Sequence, residues 1–126
     1  MAAVIGVYST KIEEVCSRHE ANGEFVVPAN YNYSMQTVIS GEAKAIESVS
    51  QELKDAGAKR VIPLKTSGPF HTKALEEASK EFYKDLQKVE FKTGNGVNVI
   101  KNLDGSIYKA GDNFAEILSK HIISPV

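Results

Sequence analysis

The chain has 126 residues, 42% hydrophobic and 25% charged, which predicts a packed core in one domain or two small units and argues against disorder. Fifteen basic and 16 acidic residues give a net charge of −1, so there is no positive excess to hold nucleic acid. No apolar run approaches the roughly 20 residues that span a bilayer, no signal peptide is evident, and Cys16 is the only cysteine; a soluble, cytoplasmic protein without membrane contact is expected.

The chain opens with an apolar run, residues 2–7, that predicts a buried strand. A helix is expected from about Ser9 to Glu20, with Thr10 and Glu13 forming a capping box and Asn22-Gly23 closing it. Cys16 lies on the apolar face of this helix and is predicted to be a small buried hydrophobe, whereas His19, at the edge of that face, is predicted to be solvated.

Two further strands are predicted at Glu24–Pro28 and Gln36–Ser40. The stretch between them, which includes Asn30, Tyr31 and Asn32, is either a surface that offers groups to a ligand or a turn whose Asn side chains bond their own backbone; the turn is slightly favoured. A helix from Glu42 to Ala56, capped by Gly57, then leads to a strand at Lys59–Leu64.

The order strand, helix, strand, strand, helix, strand is that of the split βαβ or ferredoxin-like unit, which gives an α+β fold class for residues 1–65. One four-stranded sheet with two helices on one face would bury all the apolar stripes of this part.

Residues 61–71 read Val-Ile-Pro-Leu-Lys-Thr-Ser-Gly-Pro-Phe-His. A strand ends here, a Gly-Pro breaker follows, and Phe70 precedes His71 just before a new helical pattern. A histidine at such a junction can be held rigidly beside a cleft, where a general base is useful, although a lone histidine is more often only solvated.

The second half, residues 66–126, contains two amphipathic helices and little sheet to cover them. The first is predicted from Thr72 to Leu86 and the last after a capping box at Asn113–Glu116. Short strands are predicted at Val89–Lys92 and Val97–Ile100, across a turn at residues 94–96, and another turn at Asp104-Gly105. The apolar stripe of the first helix is Leu75, Ala78, Phe82 and Leu86, and that of the last is Phe114, Ile117, Leu118, His121 and Ile122. This half therefore looks like part of a larger domain, and self-association through the two helices is expected.

The sequence lacks a phosphate-binding loop, a dinucleotide fingerprint, a nucleophile elbow and any pair of His or Cys at metal-binding spacing. No cofactor and no metal site are predicted.

The chain as a whole resembles the middle of bacterial malonyl-CoA:acyl carrier protein transacylases of fatty acid synthesis. The resemblance begins at Met1-Ala-Ala-Val-Ile-Gly6, is densest at Ala56-Gly-Ala-Lys-Arg-Val-Ile-Pro-Leu64 and Ser67-Gly-Pro-Phe-His71, and ends at Ser124-Pro-Val126. It implies a ferredoxin-like small subdomain, residues 1–65, inserted in an α/β-hydrolase-like large domain, of which residues 66–126 would be a part.

The resemblance also implies a ping-pong reaction, in which a serine takes malonyl from coenzyme A and passes it to the carrier-protein thiol. His71 would be the catalytic base and acid. A main-chain carbonyl at His121, where most relatives have Gln, would orient it. Asn30 and Asn32 would lie beside the cleft, and Phe70 would favour malonyl over branched acyl groups; the family usually follows the two Asn with Ser-Pro-Gly, whereas this chain has Tyr33-Ser34-Met35.

The family's serine, malonate-binding arginine and glycine-rich segment would all precede Met1, so a fragment that is inactive by itself is expected. An alternative is a non-catalytic module that binds acyl carrier protein or another partner through Lys44, Lys54, Lys59 and Arg60. A small-ligand sensor with the same fold is a third reading.

Overall fold

The computed structural model of the chain describes residues 1–92 and 96–126. Its elements, in chain order, are β1 (Ala2–Ile5), α1 (Ser9–Ala21), β2 (Val26–Tyr33), β3 (Gln36–Gly41), α2 (Ala43–Asp55), β4 (Arg60–Pro63), a 3-10 helix (Lys73–Leu75), α3 (Glu76–Leu86) and α4 (Phe114–Ile123). None of the helices in these ranges combines the length and the apolar character that crossing a membrane requires.

The four strands form one sheet in the order β2-β3-β1-β4, and all neighbouring pairs are antiparallel. In the central strand, Ala3 lies opposite Val38 on one side and Ile62 on the other. The prediction of a mixed chain with a four-stranded sheet is confirmed, as is the succession of strands and helices up to β4.

Helices α1 and α2 pack on the same side of the sheet and enclose the main core. Ile12 and Val15 of α1 meet Val49 and Leu53 of α2 over Val4, and all five are fully buried. Each such side chain stabilises the fold by roughly 1.5–3 kcal/mol relative to exposure. Cys16 lies in this core at 1% exposure, as predicted, and burial raises the pKa of its thiol to about 12.

The predicted capping box of α1 is wrong. The helix begins at Ser9 after Tyr8, and no side chain caps it. Thr10 therefore lies inside the first turn, where its hydroxyl is not at the position that accepts from the free N–H groups.

The predicted turn at Asn30 is also wrong, because β2 continues to Tyr33. Tyr31 pairs with Thr37 and Tyr33 with Gln36, so only Ser34 and Met35 form the turn. The pairing register of β2 with β3 shifts between Pro28 and Asn30 and again between Tyr31 and Tyr33, so the strand continues through this segment with two local irregularities. Paired neighbours and the strand preference of Tyr outweigh the local turn preference of Asn.

The prediction that the His19 side chain is solvated is wrong. Its ring lies between the carboxylates of Glu24 and Glu52, and its side chain is 17% exposed. These contacts join α1 to α2 and to the segment that enters β2, an arrangement that spacing along one helix could not indicate.

Helices α3 and α4 pack on each other in the second half. The Ser79 hydroxyl donates to the main-chain oxygen of Ser119 at 2.7 Å, and Leu86 is buried. The predicted stripe of α3 is wrong at Ala78 and Phe82, which are exposed, because α4 covers the neighbouring face that carries Ser79.

The strands predicted at Val89–Lys92 and Val97–Ile100 are not formed. The only ladder contact found between 96 and 112 is an isolated bridge from Ile100 to Ile107. Beside this bridge, the N–H of Tyr108 donates to the oxygen of Val99 at 2.9 Å, but among the described residues the pairing extends no further into a strand, and the side chains of Val89, Val97, Val99 and Ile100 are exposed. Of the turn predicted between them, Gly94 and Asn95 lie outside the described residues.

Two local predictions in the same region are confirmed. Gly105 has a φ of 71° and its N–H donates to the oxygen of Lys101, which makes the turn at Asp104-Gly105. The Asn113 side chain accepts from the N–H of Glu116 at 3.2 Å, so it caps α4.

Candidate functional site

The segment after β4 carries His71 from the sheet to the 3-10 helix, and Thr72 fixes its shape. The buried Thr72 hydroxyl donates to the oxygen of Pro69 at 2.7 Å and accepts from the N–H of Ala74 at 3.3 Å. The sequence pattern placed Thr72 at the start of a helix but did not predict its capping role, although a threonine directly before a helical pattern is a recognised N-cap signal.

His71 itself has a left-handed backbone, with a φ of 60°, and it is the only non-glycine residue with positive φ among those described. This conformation costs an L-residue roughly 1–2 kcal/mol, so surrounding contacts must hold it. One is a hydrogen bond from the His71 N–H to the oxygen of Ile122 at 3.0 Å.

The His71 ring is held by the next carbonyl on the same helix. Its Nδ1 lies 3.1 Å from the main-chain oxygen of His121. A carbonyl can only accept, so Nδ1 carries the proton and donates it, and Nε2 of the neutral ring is then unprotonated.

Both carbonyls belong to the last turn of α4, where few N–H groups of the helix remain to pair with them; the His121 oxygen also accepts from the N–H of Ser124, the C-cap residue, at 3.4 Å. The last turn of α4 thus uses two of its carbonyls to hold His71, which lies 50 residues before His121, in a defined tautomer.

The side chain of His121 packs beside the ring it supports. The two ring centroids are 5.0 Å apart and the planes are tilted by 36°. Nε2 of His121 is buried and has no hydrogen-bond partner among the described residues. The pKa of His121 is lowered, first by burial and then by the charge of His71.

The chain end after α4 joins this region to β2. The N–H of Val126 donates to Ala29 at 2.9 Å, and Tyr31 donates its N–H to Val126 at 2.7 Å. Asn30, between those two strand residues, is half-buried, and Asn32 is exposed. The last turn of α4 therefore contacts the His71 backbone, and Val126, three residues after the helix, contacts the strand that carries the two asparagines.

The predicted site residues are not all in direct contact. Phe70 precedes His71 and is 40% exposed. Within residues 1–92 and 96–126, no hydrogen bond joins the side chains of Asn30 or Asn32 to His71. The structure therefore brings His71 and His121 together, leaves Phe70 open beside them, and links the asparagines through backbone alone.

The same ranges contain no group of three or more His, Cys, Asp or Glu side chains able to hold a metal ion. What His71 offers is proton transfer, because a ring whose Nδ1 is held by a carbonyl presents Nε2 as the proton acceptor. It could serve a nucleophile that another part of a protein supplies.

No protein-family model matches the chain. Curated relatives do: the chain is 35% identical over all 126 residues to a malonyl CoA-acyl carrier protein transacylase of Bacillus subtilis and covers 39% of that protein. Solved structures agree with this similarity. An enzyme described as MCAT from Streptococcus pneumoniae has 38% identity and a TM-score of 0.86, over 99% of this chain and 40% of that one.

A malonyl-transacylase solved in complex with a type II PKS acyl-carrier protein superposes with a TM-score of 0.90 at 31% identity, over 99% of this chain and 40% of that one. The resemblance predicted from the sequence is confirmed along the whole chain. The chain spans about two fifths of the length of these relatives.

Proposed function

We propose, from the similarity of this whole chain to part of the malonyl CoA-acyl carrier protein transacylases, that it carries the histidine side of an active site that moves malonyl from coenzyme A to acyl carrier protein. The observation that carries the proposal is the His71 ring, whose Nδ1 is held by the His121 carbonyl while Nε2 remains for the reacting group.

In this proposal a serine outside these 126 residues is the nucleophile. Nε2 of His71 takes the serine proton as the serine oxygen bonds to the thioester carbon of malonyl-CoA. The carbon–sulfur bond then breaks, and His71 returns the proton to the departing coenzyme A sulfur. In the second half of the reaction the carrier-protein thiol gives its proton to His71 and its sulfur bonds to the malonyl carbonyl carbon held on the serine. The bond from that carbon to the serine oxygen breaks, His71 returns the proton to the serine, and malonyl remains on the carrier.

Other residues have supporting roles in the proposed site. Phe70, exposed beside His71, would restrict the acyl group next to its α-carbon. Asn30 and Asn32 would border the cleft from β2, which is joined to the end of α4 through Val126. Because Tyr33-Ser34-Met35 completes a hairpin in this chain, we expect the cleft wall here to be more regular than a loop.

We propose the division into a ferredoxin-like unit, residues 1–65, and a part of an α/β-hydrolase-like domain, residues 66–126. The sheet order β2-β3-β1-β4 with both helices on one face supports the first. The exposed Ala78 and Phe82 of α3 support the second, since they lie ready to pack against further structure. The buried single cysteine also fits a reducing compartment such as the cytoplasm.

A chimera tests the function. The aligned segment of the Bacillus subtilis relative is replaced by this chain, and malonyl transfer to carrier protein is measured with His71, with His71→Gln and with the matched control His19→Gln. We expect activity that falls on the order of 10²–10⁴-fold only in His71→Gln, the usual contribution of a general base. An active His71→Gln chimera would refute the role of His71.

The polypeptide of these 126 residues by itself should transfer no malonyl, since it supplies no nucleophile in the proposed mechanism. Transfer by the pure polypeptide, abolished by His71→Gln, would show that a nucleophile lies among its own residues.

A second candidate function is a non-catalytic module that binds acyl carrier protein. The observation that favours it is a cleft of about 950 Å³ between α2, β4 and Met1, with Lys44 and Lys54 in its lining. Together with the exposed Lys59 and Arg60 these could meet an acidic partner. Reversing the charge of Lys44 and Lys54 should abolish carrier binding in calorimetry, whereas His71→Gln should leave it unchanged.

We also propose that the isolated polypeptide self-associates through the face of α3 that carries Ala78 and Phe82. Sedimentation at rising concentration should show larger species, and Phe82→Glu should return the profile to monomer. A monomer at every concentration would contradict this.

A further inference from the structure

The His121 side chain has no part in the proposed reaction, although its main-chain oxygen holds His71. It nevertheless packs against the His71 ring at a centroid distance of 5.0 Å, and its Nε2 is buried and unpartnered among the described residues. A second titratable ring in this position is the feature from which the inference starts.

Two physical consequences follow if His121 takes up a proton. Its buried Nε2–H would have no acceptor among the described residues, so the ring would have to turn toward solvent. Its charge would also stand beside the imidazolium that His71 must become when it accepts the nucleophile's proton. Both effects oppose the reaction.

Charged side chains on the neighbouring elements are engaged in ion pairs of their own. On α4, Lys120 is paired with Glu116; from α3, Lys80 is paired with Glu76 and Glu77; and on the segment between them Lys101 is paired with Asp112. Tyr108, whose ring lies near Lys101, lines the same small cavity as His121. His71 is thus the ionisable side chain in ring contact with His121.

We propose that His121 is a positioning residue whose imidazole must remain uncharged for His71 to act as a base. The neutral ring fills the space beside His71 and keeps it against the His121 carbonyl, and protonation of His121 in acid releases that support. This inference rests on the proposed function for its catalytic meaning, but the contact between the rings can be tested without activity.

The first test is an NMR titration of the three histidine rings in the 126-residue chain. The His71 signals should report two transitions, its own and that of His121, because interacting sites titrate as a pair. In His121→Gln the second transition should vanish, and in His71→Gln the His121 transition should move to higher pH. The control His19→Gln should change neither curve.

Unchanged His71 signals in His121→Gln, together with an unmoved His121 transition in His71→Gln, would overturn the inference. If His121→Gln fails to fold, as judged by its methyl spectrum, the His71→Gln measurement alone decides, since it keeps the His121 ring.

The second test is the pH profile of the active chimera. If charged His121 inactivates the site, log(kcat/KM) should fall in acid with a slope approaching about 2, and with a slope of about 1 in His121→Gln, which loses one of the two protons. Equal slopes would exclude the positioning role even where the NMR coupling is present. An inactive chimera with intact NMR coupling would instead count against the proposed function.

Discussion

Nε2 of His19 lies 3.0 Å from Oε2 of Glu52, which joins α1 to α2. The other ring nitrogen contacts Glu24, and Glu52 also binds Arg18. The pKa of His19 is raised, first by its hydrogen bond to Glu24 and then by that to Glu52. The pKa of Glu52 is lowered, first by Arg18 and then by His19.

This cluster predicts a pH-dependent difference in stability between the native chain and His19→Gln. The raised pKa of His19 stabilises the fold fully below its ordinary value of 6.5, and this contribution is lost as the pH rises through the folded-state value. The Glu52 contribution is present above its ordinary 4.5 and is lost as the pH falls through its lowered value. The difference in unfolding free energy between the native chain and His19→Gln should be largest between pH 4.5 and pH 6.5, the ordinary pKa values of Glu52 and His19. It should be smaller at alkaline pH, on a scale of roughly 0.2–1 kcal/mol.

Urea denaturation of the native chain and of His19→Gln at pH 5.5 and at pH 9 measures this difference in unfolding free energy. Lys80→Gln, which removes an exposed pair on α3, is the control and should change stability little at either pH. A His19→Gln effect of equal size at both pH values would contradict the account.

Gly41 is predicted to tolerate no side chain. A Cβ built there would lie 2.1 Å from the main-chain oxygen of Phe25 and 2.7 Å from the Cα of Val26. Because both neighbours are backbone, Gly41→Ala must separate β2 from β3, and we expect a loss of about 1–3 kcal/mol or more. Gly68→Ala is the matched control, since nothing lies within 4 Å of its Cβ position. Similar denaturation midpoints for the two variants would show that the strands adjust freely.

Helices and strands up to β4, apart from the extent of β2, could be predicted because each has its own periodic pattern and has a glycine or proline at its end or within the next two residues. The extent of β2 could not, since Tyr31 and Tyr33 are in a strand only by pairing with Thr37 and Gln36. In the second half the same kind of apolar pattern predicted a strand at residues 97–100, where the structure has only the isolated bridge from Ile100 to Ile107.

The residues of the candidate site could be proposed from the sequence, whereas the contacts that bring them together could not. A histidine after a strand and before a helix pointed to His71, and resemblance pointed to His121. The left-handed backbone of His71 and the contact of the two imidazoles depend on residues about 50 positions apart, and the buried hydroxyl of Thr72 depends on the turn at Pro69. No local period encodes such contacts.

Thr72→Val should destabilise the loop that carries His71. It removes both the bond to Pro69 and the cap on Ala74 while keeping the side-chain volume, so we expect a loss of about 0.5–2 kcal/mol. In the chimera, malonyl transfer should fall as well, because the His71 backbone is strained and needs its contacts. Thr66→Val, at an exposed position of the same loop, is the control. Full activity in Thr72→Val would show that the α4 carbonyls hold His71 without help.

Cys16 should resist thiol reagents in the folded protein. It is 1% exposed, and burial raises its pKa to about 12, so both access and thiolate are scarce at pH 8. We expect labelling by a disulfide reagent to be slower by at least about 100-fold in buffer than in denaturant, because the reaction requires transient opening of the core.

Leu53→Ala, which leaves a cavity in the same core at a cost of about 2–5 kcal/mol, should raise the labelling rate of Cys16 by increasing the population of the open state. Cys16→Ser provides the blank. Rapid stoichiometric labelling of the native chain would mean that α1 separates from the sheet far more readily than its buried contacts allow.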